Sequence, residues 1–404
     1  MPMIYHSLYK KLQDAFENVV TTTELQDLSI RIRKRSFTST GTAIINSGSL
    51  NSFSDNYDKK AYNEEPDAQF LTGINDSNIS SNNSFEYFTV ENISNSQSSG
   101  IIFLFHGLNE KKWDKYFPWA YELARQTGKT VILFPIAFHM NRAPYVWSDS
   151  RLMNKVAVQR ANKLPNAKTS FINAAISERL EASPQRFFLS GLQTYIDFCG
   201  LLKSIRCGLE KNIPPEANID FFGYSIGAFF SLLLLMDNPY KELDNSRLVI
   251  FCGGATFDNM MPVSRYIIDM RASQFVENYF EEQLNNKPLM EKKLEYYFSG
   301  VSIEKSYFPT LINQKHYKDL REKRLSRIHE RISAIALIKD EVVPPFGVLN
   351  NLKGGRKNIN TRVDVMDFEY PYDHVTPFPL IEKYNLQVDK SFKHIMGNSS
   401  AFLS

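Results

Sequence analysis

The chain has 404 residues; 43 % are apolar and 23 % are charged, ordinary globular usage that can bury a large core and excludes wholesale disorder. Lys and Arg number 47 against 44 Asp and Glu, a net charge of +3, so no strong field draws the whole protein to nucleic acid or to an anionic membrane. The three cysteines (Cys199, Cys207, Cys252) have neither the density of a disulfide scaffold nor the spacing of a metal site.

The first twenty residues, MPMIYHSLYKKLQDAFENVV, lack the basic start, apolar stretch and cleavage site of a signal peptide. No apolar run approaches the ~20 residues of a membrane span. The expectation is a soluble, cytoplasmic protein. The Asn-x-Ser sequons at Asn75, Asn78, Asn82 and Asn92 then read as products of an Asn/Ser-rich stretch rather than glycan sites.

In chain order, Leu8, Leu12 and Phe16 at four-residue spacing start residues 1–35 as helix. Arg31, Arg33, Lys34 and Arg35 form a short basic cluster, better read as a solvated face than as a nucleic-acid contact. Residues 36–100 are rich in Ser, Asn, Thr and Asp; only Phe85–Val90 has strand character, and loops with a peripheral β-hairpin are expected. From residue 100 there are six short apolar runs: Ile101–Phe105, Thr130–Ile136, Ile219–Phe222, Leu248–Cys252, Ala334–Ile338 and Val363–Phe368. Runs apolar on both parities are strands covered on both faces, as in a parallel sheet. Helical patterns at Trp113–Thr127, Leu192–Leu209, Ala228–Met236 and from Leu380 onward lie between or after them. The alternation predicts a doubly wound α/β domain. The intervals 137–190 and 256–332 exceed a simple crossover, and the second, charged and aromatic, reads as a helical cap. The predicted organisation is an N-terminal extension over 1–84, a core over 85–255 and 333–404, and a cap over 256–332.

Within IDFFGYSIGAFFSLLLLM, Gly223-Tyr224-Ser225-Ile226-Gly227 is G-x-S-x-G between a strand and a helix, the context that gives this pattern its meaning. So abrupt a turn strains the central residue and lifts Ser225 Oγ above the sheet at a helix N-terminus. The Ile226 N–H then points to where a tetrahedral oxyanion would form. A serine nucleophile needs a base, and the base an acid, in the chain order Ser, Asp or Glu, His. Asp340 comes after the fifth run and His374 after the sixth, so Ser225, Asp340 and His374 are expected to converge on one edge of the sheet.

Over residues 100–395 the sequence resembles the α/β-hydrolase superfamily, and the order and spacing point to a bacterial branch. His106-Gly107-Leu108-Asn109 resembles the oxyanion loop, which implies Leu108 N–H as the second oxyanion donor, with Asn109 the alternative. Gly223–Gly227 resembles the nucleophile elbow, Asp340 the acid and His374 the base. Asp258 is a rival acid, since some members place it after that earlier strand; Glu341 is a weaker one, and Asp373 is expected to face elsewhere or fix its loop. His394 is expected on the C-terminal helix or tail. His106 reads as structural, bonded to backbone beneath the oxyanion loop, and His139, His316 and His329 as surface or core residues without metal spacing. The aromatic residues of 256–332 read as the cap's own core or as an acyl pocket; Trp147 is a candidate to overhang the site. The resemblance implies a serine hydrolase of the carboxylic-ester type with no cofactor and no metal, acting on a small-molecule acyl substrate, with thioester and amide cleavage left open. A catalytically silent relative that binds a ligand or partner is the alternative.

Overall fold

The computed structural model describes residues 4–42, 68–94 and 98–404. The remaining residues of the Asn/Ser-rich stretch, 43–67 and 95–97, lie outside that description. A sheet of nine strands runs through the described residues: β1 (Thr22–Leu25), β2 (Ile30–Thr38), β3 (Ser84–Asn92), β4 (Ile101–Phe105), β5 (Thr130–Leu133), β6 (Ile219–Tyr224), β7 (Leu248–Phe251), β8 (Ile332–Leu337) and β9 (Arg362–Met366). Their order is β1-β2-β3-β5-β4-β6-β7-β8-β9. From β5 to β9 all neighbours are parallel, and β1, β2 and β3 join antiparallel at the other side. This is the mixed α/β, doubly wound sheet of the α/β-hydrolase fold.

The apolar runs form strands because both faces are covered. Along β4, Ile101, Phe103 and Phe105 enter one core and Ile102 and Leu104 the other. Phe221 and Phe222 divide in the same way in β6, and Ile250 and Phe251 in β7. Gln185–Arg206 and Ile226–Asp237 contribute to the first core. Helices Tyr5–Glu17, Phe117–Thr127 and Asn385–Leu403 fill the second. The first two positions of the elbow helix, Ile226 and Gly227, lead through Ala228 into FFSLLLLM, an all-round apolar sequence of the kind that is stable only when buried. Strand β9 is the edge, and accordingly Arg362 and Val365 are exposed on it.

The N-terminal region departs from the expected helix and peripheral hairpin. Helix ends at Glu17, and residues 22–38 hold two strands of the main sheet. Strand β3 is an interior strand, paired along its whole length with β2 and in part with β5. The basic cluster is the alternation of β2: Ile30 and Ile32 are buried, while Arg31 and Arg33 pair with Glu24 and Glu91. Asn82, one of the sequons, is fully buried and donates to Gln193 Oε1 at 2.8 Å, so its amide is committed to the interior. The long interval after β7 is helical, with Met270–Asn285, Lys287–Tyr297, Phe308–Ile312 and Lys318–Ile328. No helix among the described residues is long and apolar enough to cross a membrane.

Candidate active site

The parallel strands end in register, Phe105 opposite Gly223, Tyr224 opposite Phe251 and Leu337 opposite Met366, so the loops that leave their C-terminal ends meet along one rim. Ser225 leaves β6 with φ 56° and ψ −121°, a strained conformation for a residue bearing a side chain. The close packing of strand and helix requires glycine on both sides. A Cβ on Gly223 would lie 2.5 Å from Ala228 Cα, and one on Gly227 2.4 Å from the Phe105 carbonyl oxygen. Ser225 N–H donates to the Phe251 carbonyl oxygen, and the Ser225 carbonyl accepts from Ala228 and Phe229, which ties the turn from both ends.

The three separated residues meet as expected. His374 Nε2 lies 2.7 Å from Ser225 Oγ, and His374 Nδ1 lies 2.8 Å from Asp340 Oδ2. All three are buried, between 2 % and 6 % exposed, which shields their hydrogen bonds from bulk water. Asp340 Oδ1 accepts from the Val342 and Val343 N–H groups at 2.9 and 2.8 Å, so the carboxylate is held at both oxygens. Burial, with the charge of nearby Asp340 adding to it, raises the Cys252 thiol pKa well above the ordinary value, which keeps the thiol protonated. The ring of His374 stacks near that of Tyr224, whose hydroxyl donates to the His374 carbonyl. Lys115 donates to the next carbonyl, Val375, at 3.0 Å.

The rivals are engaged elsewhere. Asp258 accepts from Thr256, Asn259 and the Gln314 N–H. Glu341 is exposed, and Asp373 accepts from Thr376 N–H in a turn that fixes the His374 loop. His394 is on the exposed face of the C-terminal helix, against Asn398. His106 Nε2 accepts from the Ile136 N–H at 2.9 Å, which leaves its proton on Nδ1 to donate to the Gly107 carbonyl. Burial holds its pKa well below the ordinary value, and the neutral ring locks the loop after β4 against the tail of β5.

That loop carries Leu108 and Asn109, the latter left-handed at φ 61°. Neither the Leu108 N–H nor the Ile226 N–H donates to another group among the described residues. A free N–H at Ile226 is expected of the first residue of a helix. Asn109 Nδ2 donates to the Ile172 and Tyr266 carbonyls, which anchors the loop to two later segments.

Two cavities flank this edge. One, of about 290 Å³, holds Ser225 and His374 with Leu108, Asn109 and Lys111. The other, of about 110 Å³, shares Leu108, Asn109 and Lys111 with it and runs between aromatic walls that include Phe187, Phe188 and Phe229. Trp147 lines this second cavity. Of the aromatic residues of 256–332, Phe298 and Phe308 reach it, whereas Tyr279, Phe280 and Tyr297 are buried in the adjoining core. Sequence reasoning missed Lys111, Tyr224 and Cys252; Tyr224 and Cys252 flank known landmarks, but nothing local distinguishes Lys111 from its neighbour Lys112. Among the described residues, no group of three or more His, Cys, Asp or Glu side chains could hold a metal ion.

Solved structures similar to this chain include a thermostable esterase from Pseudomonas putida ECU1011, at 9 % identity and TM-score 0.47 over 100 % of this chain and 99 % of that one. A cold-adapted esterase from an Arctic intertidal metagenomic library, in a PEG-bound complex, is similar at 10 % identity and TM-score 0.41 over 96 % and 99 % of the two chains. Carboxyl esterase 2 of the fungus Tuber melanosporum is similar at 12 % identity and TM-score 0.41 over 80 % and 82 %. No curated protein matches the sequence. The family model that does match describes a family of unknown function, DUF6051, and it extends over residues 3–404, so the chain belongs to that family.

Proposed function

We propose that the protein is a serine hydrolase that cleaves a carboxylic ester through an acyl-enzyme on Ser225. The observation that carries this reading is the continuous hydrogen-bonded line from Ser225 Oγ through His374 to Asp340, with the serine at a positive-φ turn. His374 Nε2 takes the serine proton as Oγ attacks the carbonyl carbon. Asp340 accepts from Nδ1–H, fixes the tautomer and stabilises the imidazolium that forms. The N–H groups of Leu108 and Ile226 receive the oxyanion, with Asn109 N–H the alternative to Leu108. His374 then protonates the leaving alcohol, and water, activated by the same imidazole, releases the acid.

The helical segment 256–332 is read as a cap, and the cavity that Phe298 reaches as the space for part of the substrate. The free N–H groups at Leu108 and Ile226 favour acyl transfer, since an oxyanion has donors waiting for it. Thioesters and amides pass through the same intermediate, so the bond cleaved is tested directly. A fluorophosphonate probe should label the folded wild-type protein and fail to label Ser225→Ala. A series of p-nitrophenyl esters of rising chain length should be hydrolysed by the wild type. Folded protein with neither labelling nor turnover would instead make it a ligand-binding relative.

A further inference from the structure

The second cavity is apolar over most of its wall, aliphatic and aromatic together, but cationic at one side. Lys111, Arg179 and Arg186 line it, and among the described residues no carboxylate does. Arg179 and Arg186 share one counter-ion, Asp76, whose pKa is lowered by these two guanidinium groups against the opposing effect of burial. Arg179 also donates to the Leu71 carbonyl, which commits its second terminal nitrogen. Lys111 differs: it makes no hydrogen bond and no ion pair among the described residues. Its sequence neighbour Glu110 is taken by Lys115 and by the Tyr116 hydroxyl.

A second observation comes from the neutral polar groups of the same wall. Trp147 Nε1, His139 Nε2 and Asn109 Oδ1 are buried without a hydrogen-bond partner. Trp147 is 4 % exposed, and the Arg179 guanidinium lies 4.1 Å from the centre of its ring. Buried polar groups are normally satisfied, so Trp147 Nε1, a donor, marks a place for a ligand acceptor, whereas His139 Nε2, whose Nδ1–H faces the Ala137 carbonyl, and Asn109 Oδ1 are acceptors that an anion does not meet. The unmatched donors are an ammonium and an indole N–H, which suit a monoanion with two acceptor oxygens. A phosphate dianion would leave oxygens without donors in an otherwise apolar space.

We propose that the substrate's acyl half is apolar and ends in a carboxylate, and that Lys111 anchors this carboxylate. The proposal rests on the hydrolase reading of Ser225 and adds the substrate class to it. Leu108, Asn109 and Lys111 belong to both cavities, so an acyl chain attached at Ser225 can pass along this loop and present its far end to the ammonium. No side chain that the chemistry uses is asked to play a second part.

The experiment compares mono-p-nitrophenyl adipate with p-nitrophenyl hexanoate, which have the same chain length and leaving group. The wild type should favour the adipate in kcat/KM by about tenfold or more, the size expected of a charge-assisted bond in a dry site. Lys111→Met should lower that selectivity ratio about tenfold, and Lys111→Arg should restore part of it. Calorimetric titration of Ser225→Ala with monomethyl adipate gives a readout without chemistry, and Lys111→Met in that background should weaken the binding. Hexanoate turnover that depends on Ser225 but shows no adipate preference would overturn the anion site and leave the hydrolase reading intact. Binding of monomethyl adipate that depends on Lys111, with neither ester hydrolysed, would keep the anion site and overturn the hydrolase reading. Equal losses on both esters in Lys111→Met would also overturn the anchoring role.

Discussion

The two sides of Ser225 are built on opposite principles. Toward His374 the polar atoms are paired: Nε2 faces the serine, Nδ1 and Asp340 Oδ2 face one another, Asp340 Oδ1 takes two backbone donors, and the His374 carbonyl takes a tyrosine hydroxyl. Toward Leu108 and Lys111, two backbone N–H groups, an ammonium, an indole N–H and two acceptors are left without partners among the described residues. The paired side lies in rigid surroundings, since each bond restricts another, and geometry is what proton transfer needs. The unpaired side is where something from outside completes the structure. One region stores orientation, and the other stores affinity.

The largest effects should come from breaking the paired side. Ser225→Ala or His374→Ala, purified and folded, should lower ester turnover by about 10⁴ or more, as expected when the members of such a unit act together. Stopped or burst kinetics with a p-nitrophenyl ester would measure it, and a variant within tenfold of wild type would remove the proposed mechanism. Next, Asp340→Asn should cost about 10³–10⁴ in kcat, because the amide favours the wrong tautomer of His374. The same change at Asp258 should leave kcat within about threefold, since Asp258 is bound to Thr256, Asn259 and Gln314 rather than to the base. The pair of variants thus decides between two acids that the sequence alone leaves in competition.

Much of this geometry is legible in the sequence, for a physical reason. Parallel strands covered on both faces must be apolar on both parities, so Ile101–Phe105 and Leu248–Phe251 announce themselves. So abrupt a strand-to-helix turn must have small residues on either side of its central serine, and Gly223 and Gly227 supply them within five residues. What is hidden depends on long-range convergence. Strand β2 reads IRIRKRSFT, where half-buried alternation resembles a basic cluster until Glu24 and Glu91 are brought opposite Arg31 and Arg33. Lys111 is indistinguishable from Lys112 by spacing. Only the gathering of the loop after β4, the stretch around His139 and Trp147, and the helix Ala174–Ala182 that carries Arg179 makes it a half-buried cation on a cavity wall, without an ion pair among the described residues.

The unpaired side is sharpened by pH. Burial lowers the Lys111 pKa from its ordinary value to about 8, with Glu110 opposing the shift and Arg179 adding to it. His139, lowered to about 4 by burial, stays neutral throughout the useful range. Lys111 is therefore an ammonium below about pH 8 and a neutral amine above, whereas a substrate carboxylate is charged on both sides of that value. The adipate-to-hexanoate selectivity ratio should fall as pH rises through about 8, by up to the tenfold expected of Lys111→Met. In Lys111→Arg the fall should disappear, because a guanidinium keeps its proton. A wild-type ratio that stays constant as pH is raised from well below that value to well above it would show that Lys111 does not hold the carboxylate.

The smallest expected effect tests whether the paired side is as over-determined as its bonds imply. Burial raises the Tyr224 pKa well above the ordinary value, so its hydroxyl keeps its proton and donates to the His374 carbonyl. Tyr224→Phe keeps the ring that stacks near the imidazole and removes only that donor. The orphaned carbonyl should cost about 1 kcal/mol of stability, visible as a lower denaturation midpoint. If the bond also sets the height of the base above Ser225, kcat should drop about threefold to tenfold with KM unchanged, since a misplaced base weakens the transition state and not the ground-state complex. Lys115 still holds the neighbouring Val375 carbonyl, which is why the loss should stop there. The double variant Tyr224→Phe with Lys115→Met should lose more than the sum of the two free-energy changes, because each bond then no longer covers for the other.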